Sequence, residues 1–338
     1  MTIREELEAL EHQQLDKRAA FADETRGRLR PEEPKVEDVR TAYQRDTDKI
    51  VHSKSFRRLM HKTQVFLRPE GDHYRTRMTH TLEVTRIART IAKALNLNED
   101  LAEAVAMGHD LGHTPFGHAG ETALSEAMGQ PFCHNEQSLR VVDVLENDGE
   151  GLNLTYEVRD GIVNHSGGHA ACTLEGRIVK FADRIAYLNS DIDDAIRANI
   201  LEYSQIPRDI IRVLGNSYSD RIETMVSAVI EGSMEIPDIR MTSEVGQATD
   251  ALRSFMTKNV YRNSPAKRED RKAQMLLIRL FEYFRENPEK MPPLFVKNIA
   301  RDGIGRCVCD YISGMTDRYA IERYEELFVP RVWRGREF

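Results

Sequence analysis

Apolar residues recur along this chain at steps of three and four, and almost nowhere in strict alternation. That period belongs to helices that bury one face, not to half-buried strands. It is clearest over residues 78–95, where Val84, Ile87, Ala88, Ile91 and Leu95 form one stripe. A longer helix is predicted over 174–200, with Ile178, Phe181, Ile185, Leu188, Ile192 and Ile196 on one face. Residues 98–111 form another, with Asn98 suited to cap it and Gly112 and Pro115 to stop it. Shorter helices are predicted over 119–128 and 134–147, ahead of the turn-rich break "NDGEGLNLT". Helical patterns continue over 205–231, 242–258, 266–285, 292–300, 303–314 and 317–327.

The N-terminal part is less regular. Residues 5–18 read as an exposed helix, and "RGRLRPEEPKVEDVR" (26–40) as a proline- and charge-rich irregular segment. Asp46 or Thr47 would cap the next helix, running to about Met60, and "RPEGDHYRTR" then forms a loop. A short strand pair is expected, if anywhere, at 130–135 or 327–334. No repeat of solenoid length is present, and the predicted fold class is all-α.

Composition narrows the function classes. No apolar run approaches the ~18 residues of a membrane span, and "MTIREELEALEHQQLD" lacks the apolar centre of a signal peptide. A cytoplasmic protein with no membrane partner is expected. Cys133, Cys172, Cys307 and Cys309 show no paired metal-binding spacing, so reduced thiols are the expectation. A net charge of −7 argues against a general nucleic-acid binder. The charge is uneven, however. Lys54, Arg57, Arg58, Lys62, Arg68, Arg75 and Arg77 face only Glu70 and Asp72 between Ser53 and Arg77. Such a stretch is either a solvated basic face or a confined anion site.

The densest chemistry lies in "GHDLGHTPFGHAGE" (108–121). Two metal readings compete. His109 and His113 are four apart, as in a zinc-protease helix with Asp110 in place of glutamate; alternatively, His109-Asp110 is itself a ligand doublet. His109 falls in line with the apolar Leu101 and Val105, and the adjacent Asp110 would be costly to bury unless paired or metal-bound. Gly108 leaves room for another helix or a substrate. His80 shares the inward face of Val84, Ile87 and Ile91; alone, it reads most simply as a satisfied core histidine. Lys180, Asp183, Tyr187, Asp191 and Asp194 make a polar stripe that is either a solvated face or the far side of a site. Two imidazoles and two carboxylates suit a hard or borderline divalent ion with open positions.

The ordered series "MTHTLEV", "GHDLGHTPFGH" and "KFADRIAYLNSD" resembles the H…HD…D pattern of HD-domain phosphohydrolases. With "HSKSFRRLMHKTQVF", "HNEQS", "GLNLTYEVRDGI" and "GMTDRYA", the chain resembles the deoxynucleoside triphosphate triphosphohydrolases, in particular the bacterial deoxyguanosine-triphosphatase-like branch, from about Arg45 to Tyr319. The resemblance implies an HD-domain helical bundle over residues 41–200. An N-terminal helix and irregular segment (1–40) would precede it, and helices from 201–338 would pack on it.

The resemblance also implies roles. His80, His109, Asp110 and Asp183 would be the ligands of a divalent metal, Mg, Mn or another transition metal. His118 and Glu121 would be the catalytic pair; three apart, they share a helix face, so that Glu121 can orient His118. His134 would face the phosphates, Arg77 the α-phosphate and Gln64 the deoxyribose. Tyr187 would pack on the sugar and Asp191 bond its 3′-hydroxyl. Lys62, with Arg57 and Arg58, would supply positive charge. The implied reaction turns a dNTP into deoxynucleoside and triphosphate, with a part in dNTP pool control. A homo-oligomer and a second, activating dNTP would accompany it.

Three rivals follow. The protease reading needs one helix through His113, which Gly112 and Pro115 oppose, leaving His113 to steady the turn. Another HD activity, a 5′-nucleotidase or phosphodiesterase, would use the same metal site. A non-catalytic nucleotide sensor or single-stranded nucleic-acid binder would keep the fold without turnover.

Overall fold

The computed structural model describes residues 2–32, 38–64, 75–261 and 267–330. Among them there is no strand; isolated bridges join Arg28 to Thr155 and Thr63 to Thr76. The helices are α1 (Ile3–Gln14), α2 (Ala42–Val51), α3 (Lys54–Arg58), α4 (Arg77–Ala94), α5 (Glu99–Gly108), α6 (Gly117–Met128), α7 (His134–Arg140) and α8 (Tyr156–Asn164). They continue with α9 (Leu174–Arg197), α10 (Arg208–Leu214), α11 (Tyr218–Ser233), α12 (Ser243–Met256), α13 (Lys267–Glu286), α14 (Pro293–Asp302), α15 (Ile304–Ser313) and α16 (Asp317–Phe328). The fold is all-α, as the periodicity predicts, and no helix of the described residues is long and apolar enough to cross a membrane.

Two apolar clusters organise the helices. The larger joins Ile50 of α2, Val84 and Ile91 of α4, Leu101 and Val105 of α5, Ile162 of α8, and Ile178 and Ile185 of α9. The smaller joins Ala123 and Leu124 of α6 to Leu277 and Phe281 of α13 and to Val308 and Ile312 of α15. Because α5 ends in one cluster and α6 begins in the other, the histidine-rich turn between them lies at their junction.

Several predicted boundaries move, each for a local reason. The second helix starts at Ala42, where the Thr41 amide donates to Gln44 Oε1 (3.2 Å). Asp46 is buried, accepting from the Thr155 amide and hydroxyl (2.7 Å each) and from Arg28. Thr47 donates to the Tyr43 carbonyl (3.3 Å), so neither residue is a cap. The predicted run to Met60 breaks where Ser53 caps α3 through the Phe56 amide (3.1 Å). Asn98 caps α5 as expected, accepting from the Asp100 (3.1 Å) and Leu101 (3.2 Å) amides. The α7 helix changes to a π-turn at Val141–Leu145. No strand forms at 130–135 or 327–330, and 331–334 lie outside the described residues. Sequence periodicity assigned nothing to α8, which buries Val158 and Ile162.

Glu175 ties the N-terminal segment to this bundle. Fully buried at the start of α9, it accepts from the Ala20 and Asn98 amides, both at 3.0 Å. Burial pushes its carboxyl up to about 7 from an ordinary 4.5. A carboxyl that titrates higher when folded contributes its full stability below the ordinary range and loses it as pH rises toward the folded value. Glu175→Gln keeps the acceptor and cannot ionise. Relative to that variant, the wild type is expected to lose roughly 3 kcal/mol between about pH 4.5 and pH 7. Urea unfolding at several pH values reads this, and a difference that stays constant across the range refutes it.

Candidate active site

Local folding brings the histidines together. His80 lies one turn into α4, and His109 and Asp110 follow directly from the end of α5. His118 and Glu121 are on the first turns of α6, His134 is the first residue of α7, and His165 follows α8. Gly108 allows this convergence: a Cβ there would lie 2.5 Å from Ile162 Cδ1 of α8. His80, Asp110, His118, His134 and His165 line a cavity of about 660 Å³, with Asp183, Tyr187 and Asp191 of α9 forming another wall.

Among the expected metal ligands, His80 Nε2 lies 3.0 Å from Asp183 Oδ1. His109 Nε2 is 3.9 Å from Asp110 Oδ1 and 4.0 Å from Asp183 Oδ1. The donor atoms of His80, His109 and Asp110 all lie within 4.8 Å of one another. His109 Nδ1 donates to the Ala106 carbonyl at 2.6 Å, which puts the ring proton there. Its Nε2 is then a bare lone pair, buried and without a partner, the state a metal-binding imidazole requires. Burial alone would raise the Asp110 carboxyl. The Arg77 guanidinium, 2.7 Å away, and the surrounding imidazoles outweigh it and hold Asp110 well below the carboxylate range. Burial likewise opposes ionisation of Asp183, but the His80 hydrogen bond and neighbouring imidazoles bring it down to about 2. Two anionic carboxylates and an orphaned imidazole nitrogen fit a divalent cation.

Glu121 engages a second histidine besides the expected His118. Glu121 Oε1 accepts from His134 Nδ1 (2.8 Å) and from the His134 amide (3.1 Å). Glu121 therefore grips His134, because the first residue of α7 offers it two donors; the His118 imidazole acts on the same carboxylate through its charge. His118 is exposed and lines both the cavity and an adjoining groove between α6 and α13. His134 Nε2 meets His165 Nε2 at 3.2 Å, and its ring stacks on His113 at 4.6 Å and 15°. His113 is thus a buried support in the turn. The protease geometry does not form, because α5 stops at Gly108, before His113, and the His113 ring stacks on His134.

The basic stretch also divides. Only Arg77 of its described members lines the cavity. Lys62 is buried with Nζ bonded to the carbonyls of Ser313 (2.8 Å) and His113. Arg57 donates to the His52 carbonyl (2.8 Å), Lys54 pairs with Asp148, and Arg75 pairs with Glu83 and Asp194. Arg58 is not part of the cavity wall. Arg68 lies outside the described residues. The cavity's other cations are Lys180, Arg184 and Arg253, which the stretch did not contain. Gln64 lines the cavity, as do Tyr187 and Asp191. Asp191 Oδ2 accepts from Tyr261 Oη at 2.6 Å, while its buried Oδ1 has no partner. Burial pushes the Asp191 carboxyl up to about 7.

Sequence reasoning missed His165, Arg253 and Tyr261. His165 Nδ1 donates to the Ile162 carbonyl (2.7 Å), and its ring sits edge-on to His109 at 5.0 Å. Its signal was faint: a histidine after an unrecognised helix. Arg253 and Tyr261 reach the cavity from α12 and the π-turn Thr257–Tyr261, where nothing local marks them.

Residues 77–188 match the HD domain family, and residues 239–326 match the phosphohydrolase-associated domain. A deoxyguanosinetriphosphate triphosphohydrolase-like protein of Caldanaerobacter subterraneus subsp. tengcongensis is 56% identical over 333 residues, spanning 98% of each chain. A Clostridium perfringens protein of the same name is 47% identical over 340 residues, covering 98% of this chain and 99% of the other. This chain belongs to the deoxyguanosinetriphosphate triphosphohydrolase-like family. A solved phosphohydrolase from Bacteroides thetaiotaomicron shares the fold, with a TM-score of 0.54 over 83% of this chain and 69% of that one, at 18% identity.

Within this phosphohydrolase the HD match contains all four expected ligands, His80 to Asp183. It stops short of Asp191 and begins after Gln64. Arg253 and Tyr261 belong to the phosphohydrolase-associated match, so the cavity wall is assembled from both regions.

Proposed function

We propose that this phosphohydrolase converts a deoxynucleoside triphosphate to deoxynucleoside and inorganic triphosphate, through attack of water at the α-phosphorus. One observation carries the reading. A single cavity of about 660 Å³ joins three of the four candidate metal ligands, His80, Asp110 and Asp183, with His118 and four cationic side chains, to a tyrosine-and-carboxylate wall. That combination suits a polyanion with a sugar at one end. The names of the 56% and 47% identical relatives support it.

His80, His109, Asp110 and Asp183 would hold the divalent cation, which when bound supplies Lewis-acid polarisation of phosphate oxygen and a more acidic water. Arg77 would meet the α-phosphate, with Lys180, Arg184 and Arg253 as cations for the remainder of the chain of phosphates. His134, held by Glu121 and His165, would face the same groups. His118 would carry the proton that the 5′-oxygen accepts as it leaves. Gln64 would meet the deoxyribose, and Tyr187 would pack where a 2′-hydroxyl would otherwise sit. Asp191 suits the 3′-hydroxyl, because Tyr261 holds one of its oxygens and leaves the other as a buried acceptor.

Supplying each dNTP singly and in mixtures, with Mg, Mn, Fe, Co, Ni or Zn, tests the reading. Triphosphate and deoxynucleoside should appear in equal amounts, with ribonucleotides turned over poorly. Hydrolysis of monophosphates or diesters without triphosphate would reassign the chain to another HD activity. Binding without turnover under any metal would make it a nucleotide sensor. Stimulation in mixtures alone would reveal a second, activating dNTP, and the same preparations would show whether the active form is a homo-oligomer.

A further inference from the structure

The cavity lies at the junction of two apolar clusters, so something must hold its two sides in register. The turn between α15 and α16 does so. At its far end Asp317, the first residue of α16, is 5% exposed and uses both carboxylate oxygens. Oδ1 accepts from the Phe116 amide at 3.0 Å. Oδ2 accepts from the Thr63 amide at 3.0 Å and from the Thr63 hydroxyl. From the start of the same turn, the Ser313 carbonyl accepts from Lys62 Nζ at 2.8 Å, and the same ammonium donates to the His113 carbonyl. One C-terminal turn thus grips residues 62–63 and, directly or through Lys62, both ends of the turn 113–116.

Those segments carry the site. Thr63 precedes Gln64, and Phe116 is two residues before His118. Phe116 and Gly117 have φ of 63° and 55°, a left-handed pair that reverses the chain before α6 begins. A non-glycine residue in that region is held by its surroundings rather than by its own preference. At Phe116 the surroundings include the Asp317 hydrogen bond. The reversal is also packed tightly: a Cβ at Gly117 would lie 3.1 Å from Arg77 Nη2 and 3.4 Å from the Gln64 carbonyl oxygen. A small shift at 116–117 would therefore move His118 relative to Arg77 and Gln64 together.

We propose that Asp317 is a positioning residue for the reaction, holding the left-handed turn that aims His118 and the segment that presents Gln64. The phosphohydrolase-associated region, which contains Asp317, would then set the geometry of the active site as well as contribute to its wall. The proposal rests on the function proposed above for the role of His118, but not for the structural coupling.

The test uses the full, metal-loaded chain. Asp317→Asn keeps the shape of the side chain but replaces one accepting oxygen with a donor, so it cannot serve Phe116 and Thr63 together. Thr63→Val removes one of the same hydrogen bonds from the other side. Asp302→Asn is the comparator, since Asp302 joins Arg140 to the C-terminal region without touching 62–64 or 113–118. Hydrogen exchange followed by mass spectrometry should show peptides over 60–64 and 113–118 exchanging faster in Asp317→Asn and Thr63→Val, and unchanged in Asp302→Asn. In Asp317→Asn, kcat should fall by ~10- to ~100-fold, as misplacement of a catalytic group does, with metal content unaltered. The kcat loss should vanish in a His118→Ala background, where there is no longer an acid to aim, while a rise in KM persists through Gln64. Unchanged exchange in both segments overturns the proposal. So does a kcat loss that is equally large without His118, or one that Asp302→Asn reproduces. If the wild type releases no triphosphate from any dNTP, the function proposed above fails, and the exchange result still decides whether Asp317 holds the two segments.

Discussion

Replacing His118 with alanine is expected to slow triphosphate release by ~10²–10⁴-fold, the range typical of a lost proton-transfer group. Metal content should be unchanged, because the candidate ligands lie on α4, at the end of α5 and on α9, and none depends on the His118 ring. The substitution is also mild for the fold, since His118 is exposed. His134 is the informative comparison. It is engaged by Glu121, His165 and His113, so His134→Ala would take from the largely buried Glu121 carboxylate its side-chain donor, leaving the residue-134 amide, and lower stability as well as rate. Full turnover in His118→Ala, with inactivity in His134→Ala, would move the acid role to His134. Single-turnover measurements of product formation, beside elemental analysis, separate these results.

Asp183→Asn is expected to abolish tight metal binding. Replacing this candidate ligand should weaken affinity beyond the ~10–100-fold that loss of an outer partner causes. It is the cleaner of the two carboxylate substitutions. Asp183 is 22% exposed at its side chain and its hydrogen bond is to His80. Asp110, by contrast, pairs with the buried Arg77. Asp110→Asn would leave that guanidinium without its counter-charge, a cost of ~3–5 kcal/mol, so loss of metal and loss of fold would be confounded. Thermal unfolding with added Mn gives the readout. A cation that binds only the folded chain stabilises it by about 2.7 kcal/mol at a hundred times its Kd. The wild type should show that rise, and Asp183→Asn should not. An equal rise in both would remove Asp183 from the ligand set.

How legible this chain is depends on the length scale of the interaction. Helices α4, α5 and α9 were readable because apolar period and a good cap, Asn98 for α5, are properties of neighbouring residues. The α2 start was misplaced because Asp46 looks like a cap until Thr155, more than a hundred residues away, is seen to use both its donors on it. The basic stretch 53–77 left a solvated face and a confined anion site both open, because charge was counted along the chain. Folding sends Lys62 into a buried carbonyl cage and pairs Arg75 with carboxylates, while bringing Arg253 from far downstream to the cavity.

The residue types that can hold an ion and move a proton, and the helices that carry most of them, are set locally, and the sequence alone determined them. Adjacency and helical period place His109 beside Asp110 and put His80 on an inward face, and these do not depend on the remainder of the chain. Pairing is different. Whether Glu121 serves His118 or His134, whether Lys62 meets phosphate or carbonyl, and that His165, Tyr261 and Asp317 bear on the site at all, are decided by tertiary structure. A buried polar group takes whichever partner the packing of distant helices brings within about 3 Å, since leaving it unpaired is costly, and no local pattern encodes which partner that will be.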